Sequence, residues 1–253
     1  MLTRRTFLGA SSGALAASFL SGSSASADDA PAIPPDLDHI IVGFPNLEDG
    51  IDRLFHLSGY RAAVGGSHPN RGTRNALLNL GNNSYLELLA PDLAQPALLW
   101  HKEIATLTEL TIVGWAIRHA ELDKLASLLK ERGVSCSDPT PGSRVRPDGQ
   151  TLNWRKLTLV DDLKGNLPFF IDWDSASPHP SSDAPGSCLL QEFRPTDTLP
   201  EIPPPQDGMR LHIIPGKQAQ LQAKIAGRNG AIFQLSSIPV PAENWVPKES
   251  SIL

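Results

Sequence analysis

Three side chains could do chemistry, and each sits in a patterned stretch. His39 follows Asp38 in the run Leu37-Asp38-His39-Ile40-Ile41-Val42-Gly43, and Glu87 lies in Tyr85-Leu86-Glu87-Leu88-Leu89. His68 lies in Gly65-Gly66-Ser67-His68-Pro69. Imidazoles and carboxylates together can take up a divalent cation or pass a proton. Each also has a plain structural reading: His39 as a hydrogen-bonded core residue beside Asp38, Glu87 as the solvent-facing alternate of a strand, His68 as a residue near a turn. Arg71 and Arg74 flank the glycine-containing Gly72-Thr73, and Arg144 and Arg146 follow Gly142-Ser143 in a comparable glycine-flanked loop. Guanidinium grips carboxylate in a two-bond fork, so a cationic rim for an anionic or polyoxygenated small substrate is one reading. Four ordinary solvated arginines are the other. Trp154, Phe169, Phe170 and Trp173 are assigned to the core, His179 between two prolines to the surface, and Asn75 and Asn153 to loop caps. His56, His101, His119 and His212 have no partner pattern and receive no role.

The elements that must position these groups follow from periodicity. Residues 38–43 read as a buried strand closed by glycine. Asn46-Leu47-Glu48-Asp49 offers an N-cap with acids in the first turn; Ile51, Leu54, Phe55 and Leu57 follow at helical spacing, and Gly59 stops the helix. Strands are expected at 60–64, 75–80 and 85–89, so the order is βαβββ. The order then recurs. Residues 109–114 match 38–43 at an offset of 71, with Ile-Val-Gly shared, and Leu122-Asp123-Lys124-Leu125 matches Ile51-Asp52-Arg53-Leu54 at the same offset. Gly133 ends the second helix, and strands are expected around 134–137, 152–160 and 167–173. After a Ser/Pro/Asp-rich stretch, residues 209–214, a helix-like 217–226 and 231–235 read as an appended βαβ segment.

The chain has 253 residues and a net charge of −5, with 23 Pro and 20 Gly. This composition fits a globular protein rich in turns and short strands, and its acidity argues against nucleic acid as a partner. Two cysteines exclude a disulfide-rich scaffold or a four-cysteine zinc site; Cys136 and Cys188 could pair or remain free thiols. Residues 1–27 carry Arg4-Arg5 before Phe7-Leu8, then a small-residue apolar stretch, then Ala25-Ser26-Ala27. This pattern resembles a twin-arginine signal and implies the export machinery as a partner and a periplasmic or secreted destination. The stretch is too short and too rich in Ser, Gly and Ala for a stable transmembrane span. The expected organisation is a signal at 1–27, a linker at 28–36, one paired domain at 37–180, and an extension at 181–253 with its βαβ-like part at about 208–236.

Two successive βαβββ units resemble the vicinal oxygen chelate superfamily, and the wording is similar to its glyoxalase-like branch. The residues that carry this are Leu37 to Val42, Gly65-Gly66-Ser67-His68-Pro69-x-x-Gly72-Thr73-x-Asn75, Tyr85-Leu86-Glu87-Leu88-Leu89-Ala90-Pro91, and Leu167-Pro168-Phe169-Phe170-Ile171-Asp172-Trp173 with His179-Pro180. The resemblance implies an α+β fold of paired βαβββ modules around one cleft. It implies metal ligands from the first and last strands of the units: His39, Glu87 and Asp172, with Zn, Mn, Fe or Ni as the divalent metal. The counterpart of His39 in unit two is Leu110, which departs from the pattern. His68 then acts as base or extra ligand, and Arg144 orients an anionic group. The implied activity is a metal-assisted lyase, isomerase or dioxygenase acting on a small oxygenated compound. The rival is a metal-free protein that sequesters a small molecule in the same cleft. A weaker third reading has the C-terminal segment filling the cleft and mediating association with a partner.

Overall fold

A computed structural model describes residues 33–96, 99–159, 167–197, 214–215 and 220–237. The proposed signal at 1–27 and residues 209–213 lie outside the described residues.

The first unit comprises strand β1 (Leu37–Gly43), helix α1 (Leu47–Ser58), and strands β2 (Ala63–His68), β3 (Thr73–Gly81) and β4 (Ser84–Pro91). The Asn46 side chain caps α1 by accepting from the Asp49 N–H, and Gly59 ends it at φ 72°, a left-handed conformation that favours glycine. A linking helix α2 (Leu99–Ala105) precedes the second unit of β5 (Thr111–Arg118), α3 (Leu122–Glu131), β6 (Thr140–Val145), β7 (Thr151–Thr158) and β8 (Phe169–Trp173). Both units are βαβββ.

The strand order β1-β4-β3-β2-β6-β7-β8-β5, with β5 also pairing to β1, closes a ring of eight strands. The units meet at two seams. One is the antiparallel β1–β5 pair, which sets His39 against Ala116. The other is the short β2–β6 contact, Ser67 against Val145. At this second seam Gly66 has φ +130°, and a Cβ there would run into the Val145 carbonyl oxygen. Only glycine lets the strands approach this closely.

Several elements differ from the sequence reading: α2 was not expected, and β2 extends through His68, which the sequence reading sets near a turn. Residues 134–137 contribute only an isolated bridge, Cys136 with Leu159, and the second strand of unit two is β6. Its sequence, Thr-Pro-Gly-Ser-Arg-Val, has a loop composition, but pairing with β7 along its whole length makes it a strand. Strand β9 (Leu189–Asp197) was not expected. The helix-like stretch is strand β11 (Gln220–Ala226), paired antiparallel to β9 and to β12 (Ile232–Ser236). Leu221, Ala223 and Ile225 are buried at every second position, so period-2 burial overrides the helix propensity of Gln, Ala and Lys. A two-residue strand β10 (Ile214–Pro215) runs parallel to β9.

One hydrophobic core joins these layers: Leu37, Ile40 and Leu54 pack in the same cluster as Phe193, Ile225 and Phe233. A second, smaller cluster of Ile41, Leu89 and Ile104 lies apart from it. Cys136 and Cys188 are free thiols, and burial pushes the Cys188 thiol up to about 11. No helix among the described residues is long and apolar enough to cross a membrane.

Candidate functional site

The ring encloses a cavity of about 950 Å³, and strand parity decides what faces it. From unit one, β1 supplies His39 and Ile41, β2 supplies His68, β3 supplies Thr73 and Asn75, and β4 supplies Tyr85, Glu87 and Leu89. The register places Ile41 beside Glu87 and Gly66 beside Asn75, which brings the polar groups of neighbouring strands together. Nε2 of His39 lies 3.5 Å from Glu87 Oε2, and Nε2 of His68 lies 3.5 Å from Glu87 Oε1. Asn75 Nδ2 donates to Glu87 Oε1 at 2.6 Å. Glu87 is thus neither a solvent-facing alternate nor alone, and Asn75 is no loop cap.

Each imidazole is also held from its far side. His39 Nδ1 donates to Asp38 Oδ1 at 2.6 Å, and its ring stacks on Tyr85 at 4.7 Å between centroids. His68 Nδ1 lies 3.1 Å from Thr73 Oγ1. Asp38 is fully buried and also accepts from His179 Nε2 at 2.9 Å and Trp173 Nε1 at 3.2 Å. His179 is therefore not a surface residue: it helps fix the carboxylate that orients His39. Sequence reading missed Asp38 as a positioning group, although its adjacency to a strand histidine was visible.

Electrostatics sorts the charges. Burial alone would raise the Asp38 carboxyl, but the bonds from His179 and His39 outweigh it and hold the group well below the usual carboxylate range. Burial pulls His68 down to about 4, with the Arg144 and Arg71 charges acting the same way against the pull of Glu87. His68 is therefore neutral at pH 7. Glu87 is lowered although burial opposes this, through the histidines, the Asn75 bond and Arg144. With His68 neutral at pH 7, His39, the Asn75 bond and the Arg144 charge remain to favour the carboxylate.

Arg144 comes from unit two, on β6, and is only 3% exposed. Its Nη1 donates to Asn75 Oδ1 at 3.2 Å across the seam, while its buried Nε has no hydrogen-bond partner. Gly65 makes this possible, because a Cβ there would overlap both Arg144 Nη1 and Asn75 Oδ1. The four arginines divide. Arg144 and Arg71 line the cavity, Arg74 pairs with Glu48, and Arg146 pairs with Asp148 and Asp183.

Asp172 does not join the site. On β8, Phe169, Ile171 and Trp173 line the cavity, while Phe170 enters the main core on the opposite face. Asp172 shares the parity of Phe170 and lies opposite Arg155 of β7. Trp154, Phe169 and Trp173 are thus cavity walls rather than core residues, and only Phe170 is core. Leu110 packs against the main core.

Whether this cleft suits the implied divalent metal depends on its donors. Unit two places Gly114 and Ile171 on the wall and adds no carboxylate from β8. Asn75 already donates to one Glu87 oxygen, and Arg144 brings a fixed positive charge beside it. Among the described residues, no three His, Cys, Asp or Glu side chains form a group able to hold a metal ion. The donor set does not fit a metal centre.

Residues 37–194 match the family described as a glyoxalase-like domain. The chain belongs to that family. The glyoxalase-like domain therefore takes in both units and most of β9. No curated protein matches the chain. Among solved structures, a hypothetical protein from Staphylococcus aureus is 15% identical, with a TM-score of 0.46, covering 79% of this chain and 84% of its own. Methylmalonyl-CoA epimerase from Mycobacterium tuberculosis is 20% identical, with a TM-score of 0.40, covering 57% of this chain and 90% of its own. A variant of the Streptomyces coelicolor methylmalonyl-CoA epimerase in complex with 2-nitronate-propionyl-CoA is 17% identical, with a TM-score of 0.40, covering 55% of this chain and 97% of its own.

Proposed function

We propose that this glyoxalase-like protein is an isomerase or lyase that moves a proton on a small oxygenated carboxylic acid. One observation carries the reading: the Glu87 carboxylate lies 3.5 Å from Nε2 of both His39 and His68, on a cavity wall, beside a buried arginine with an unpartnered Nε. Arg144 binds the substrate carboxylate and stabilises the negative charge that develops on the substrate beside it. Glu87 takes the proton from the carbon next to the carbonyl. The C–H electron pair moves into that carbonyl and forms an enolate. His39, held by Asp38, passes a proton between Glu87 and the substrate, as an imidazole oriented by a carboxylate does. Return of the proton to the other face or the neighbouring atom completes an isomerisation; departure of a leaving group from the next carbon completes a lyase reaction. The expected dioxygenase activity is not part of this proposal, since it requires a metal centre that the donor set does not provide.

Hydrogen–deuterium exchange into a panel of 2-oxo and 2-hydroxy acids, followed by NMR with the full chain, tests this. Wild-type protein exchanges the carbon-bound proton of at least one member, and Glu87→Gln slows it by roughly 10²–10⁴-fold. Saturable binding without exchange for any member overturns it in favour of the sequestering reading, which the cavity's largely apolar unit-two wall favours. Export through the twin-arginine route is part of the same proposal, resting on Arg4-Arg5 and the Ala25-Ser26-Ala27 pattern. N-terminal sequencing that finds a start near residue 28 supports it, and an intact Met1 on the mature protein refutes it.

A further inference from the structure

Beside the proton-transfer site much of the cavity wall is apolar, although Lys156, over the Phe169 ring, and Glu103 also line it. All members of the small second hydrophobic cluster, Ile41, Leu89 and Ile104, line the cavity, as do Leu107, Val113 and Phe169 packed against them. This cluster is separate from the main core, so its apolar faces belong to the cavity wall. The volume of about 950 Å³ lies near the top of the roughly 300–1,000 Å³ range of sites for drug-sized ligands. An acid of three or four carbons would leave most of it to water against apolar walls. Ile41 neighbours Glu87 in the β1–β4 register, and Leu89 is the next residue of the same parity on β4, so the apolar lining begins where the polar group ends.

From this we infer that the ligand is an amphipathic monocarboxylate: its carboxylate sits on Arg144 and its hydrocarbon chain runs over Ile41, Leu89, Ile104 and Phe169. The inference rests on the proposed role of Arg144 as the carboxylate anchor and adds the substrate class. Gly114 gives a way to test it. It lines the cavity, and a Cβ placed there meets only Ile41 Cδ1, at an ordinary 3.6 Å. A leucine at this position reaches into the apolar lining without backbone strain and leaves the polar groups intact.

The experiment measures binding of straight-chain 2-oxo acids from pyruvate to 2-oxooctanoate to the full chain by tryptophan fluorescence. In the wild type, affinity rises about three- to fourfold per added methylene, the increment for burying each CH₂. Gly114→Leu flattens the series to within about threefold overall while keeping pyruvate binding. Arg144→Met weakens every member by about tenfold or more and keeps the slope. Circular dichroism shows each variant folded; should Gly114→Leu unfold, Ile104→Gln removes the same apolar lining. A flat wild-type series, or a slope unchanged in Gly114→Leu and Ile104→Gln, overturns the inference. Binding is read without turnover. A steep series with no proton exchange therefore refutes the catalytic proposal alone, and exchange with a flat series refutes the substrate class alone.

Discussion

Replacing Gly65 with alanine tests how the site is assembled. The substitution needs no unusual backbone angle; an added Cβ approaches Leu77 Cγ at a tight 3.2 Å and, far more severely, conflicts with Arg144 Nη1 and Asn75 Oδ1. Both atoms lie at side-chain ends, so the expected response is displacement of the guanidinium and loss of the 3.2 Å bond between them. A hydrogen bond to a charged group contributes about 1.5–3 kcal/mol. Alanine returns roughly 0.4–1 kcal/mol by restricting the unfolded chain. The net loss is about 0.5–2.6 kcal/mol, or roughly 1–10 °C in Tm for a chain of this size. The larger effect is on ligand: with Arg144 displaced, carboxylate affinity falls at least about tenfold. Thermal unfolding and carboxylate titration of Gly65→Ala, Arg144→Met and the double variant provide the assay. Because the alanine acts through Arg144, the double variant binds no worse than Arg144→Met alone. Wild-type affinity in Gly65→Ala, or additive losses in the double variant, refutes the argument.

Two further outcomes follow from the site. His68 is held down to about 4 in the folded protein against 6.5 ordinarily, so between these values the unfolded chain binds a proton that the folded chain does not. Stability therefore falls as pH drops from about 6.5 to about 4, by about 3 kcal/mol in full, and denaturant titrations show His68→Asn losing that slope. Asp172→Asn, which alters a carboxylate on the far face of β8, leaves carboxylate affinity within about twofold of wild type by the same fluorescence titration.

The parts of this fold legible from sequence are those whose burial pattern is local. β1 is buried along its whole length, α1 carries both caps, and β4 is a continuous run bounded by turn residues. β6 was obscured because Pro141, Gly142 and Ser143 are loop residues, and its strand state comes from β7, a partner that periodicity does not reveal. The helix expected at 217–226 followed propensity where tertiary burial set a period of two. In the site, the two histidines and Glu87 could be singled out by type. Asp172 was placed by motif, and a shift of one residue sends a strand side chain to the other face, so Ile171 lines the cavity instead. Asn75 stands in the motif but reads as a loop cap, because its place on β3 beside His68 and Glu87 depends on strand pairing. The pair Gly65-Gly66 did carry one: two successive glycines in a strand mark a close approach, here of Arg144 and of the Val145 carbonyl.

The second seam between the units is narrow, a single register pair, yet the arginine that crosses it reaches the polar centre of the opposite unit. Neither half of the duplication carries a complete anion grip by itself. In the proposed binding mode a carboxylate held by Arg144 beside Glu87 touches both halves at once and acts as a clasp, so occupancy tightens the ring where its backbone pairing is thinnest. The grip on the carboxylate therefore draws on both units, which couples the two copies of the repeated module into one functional unit.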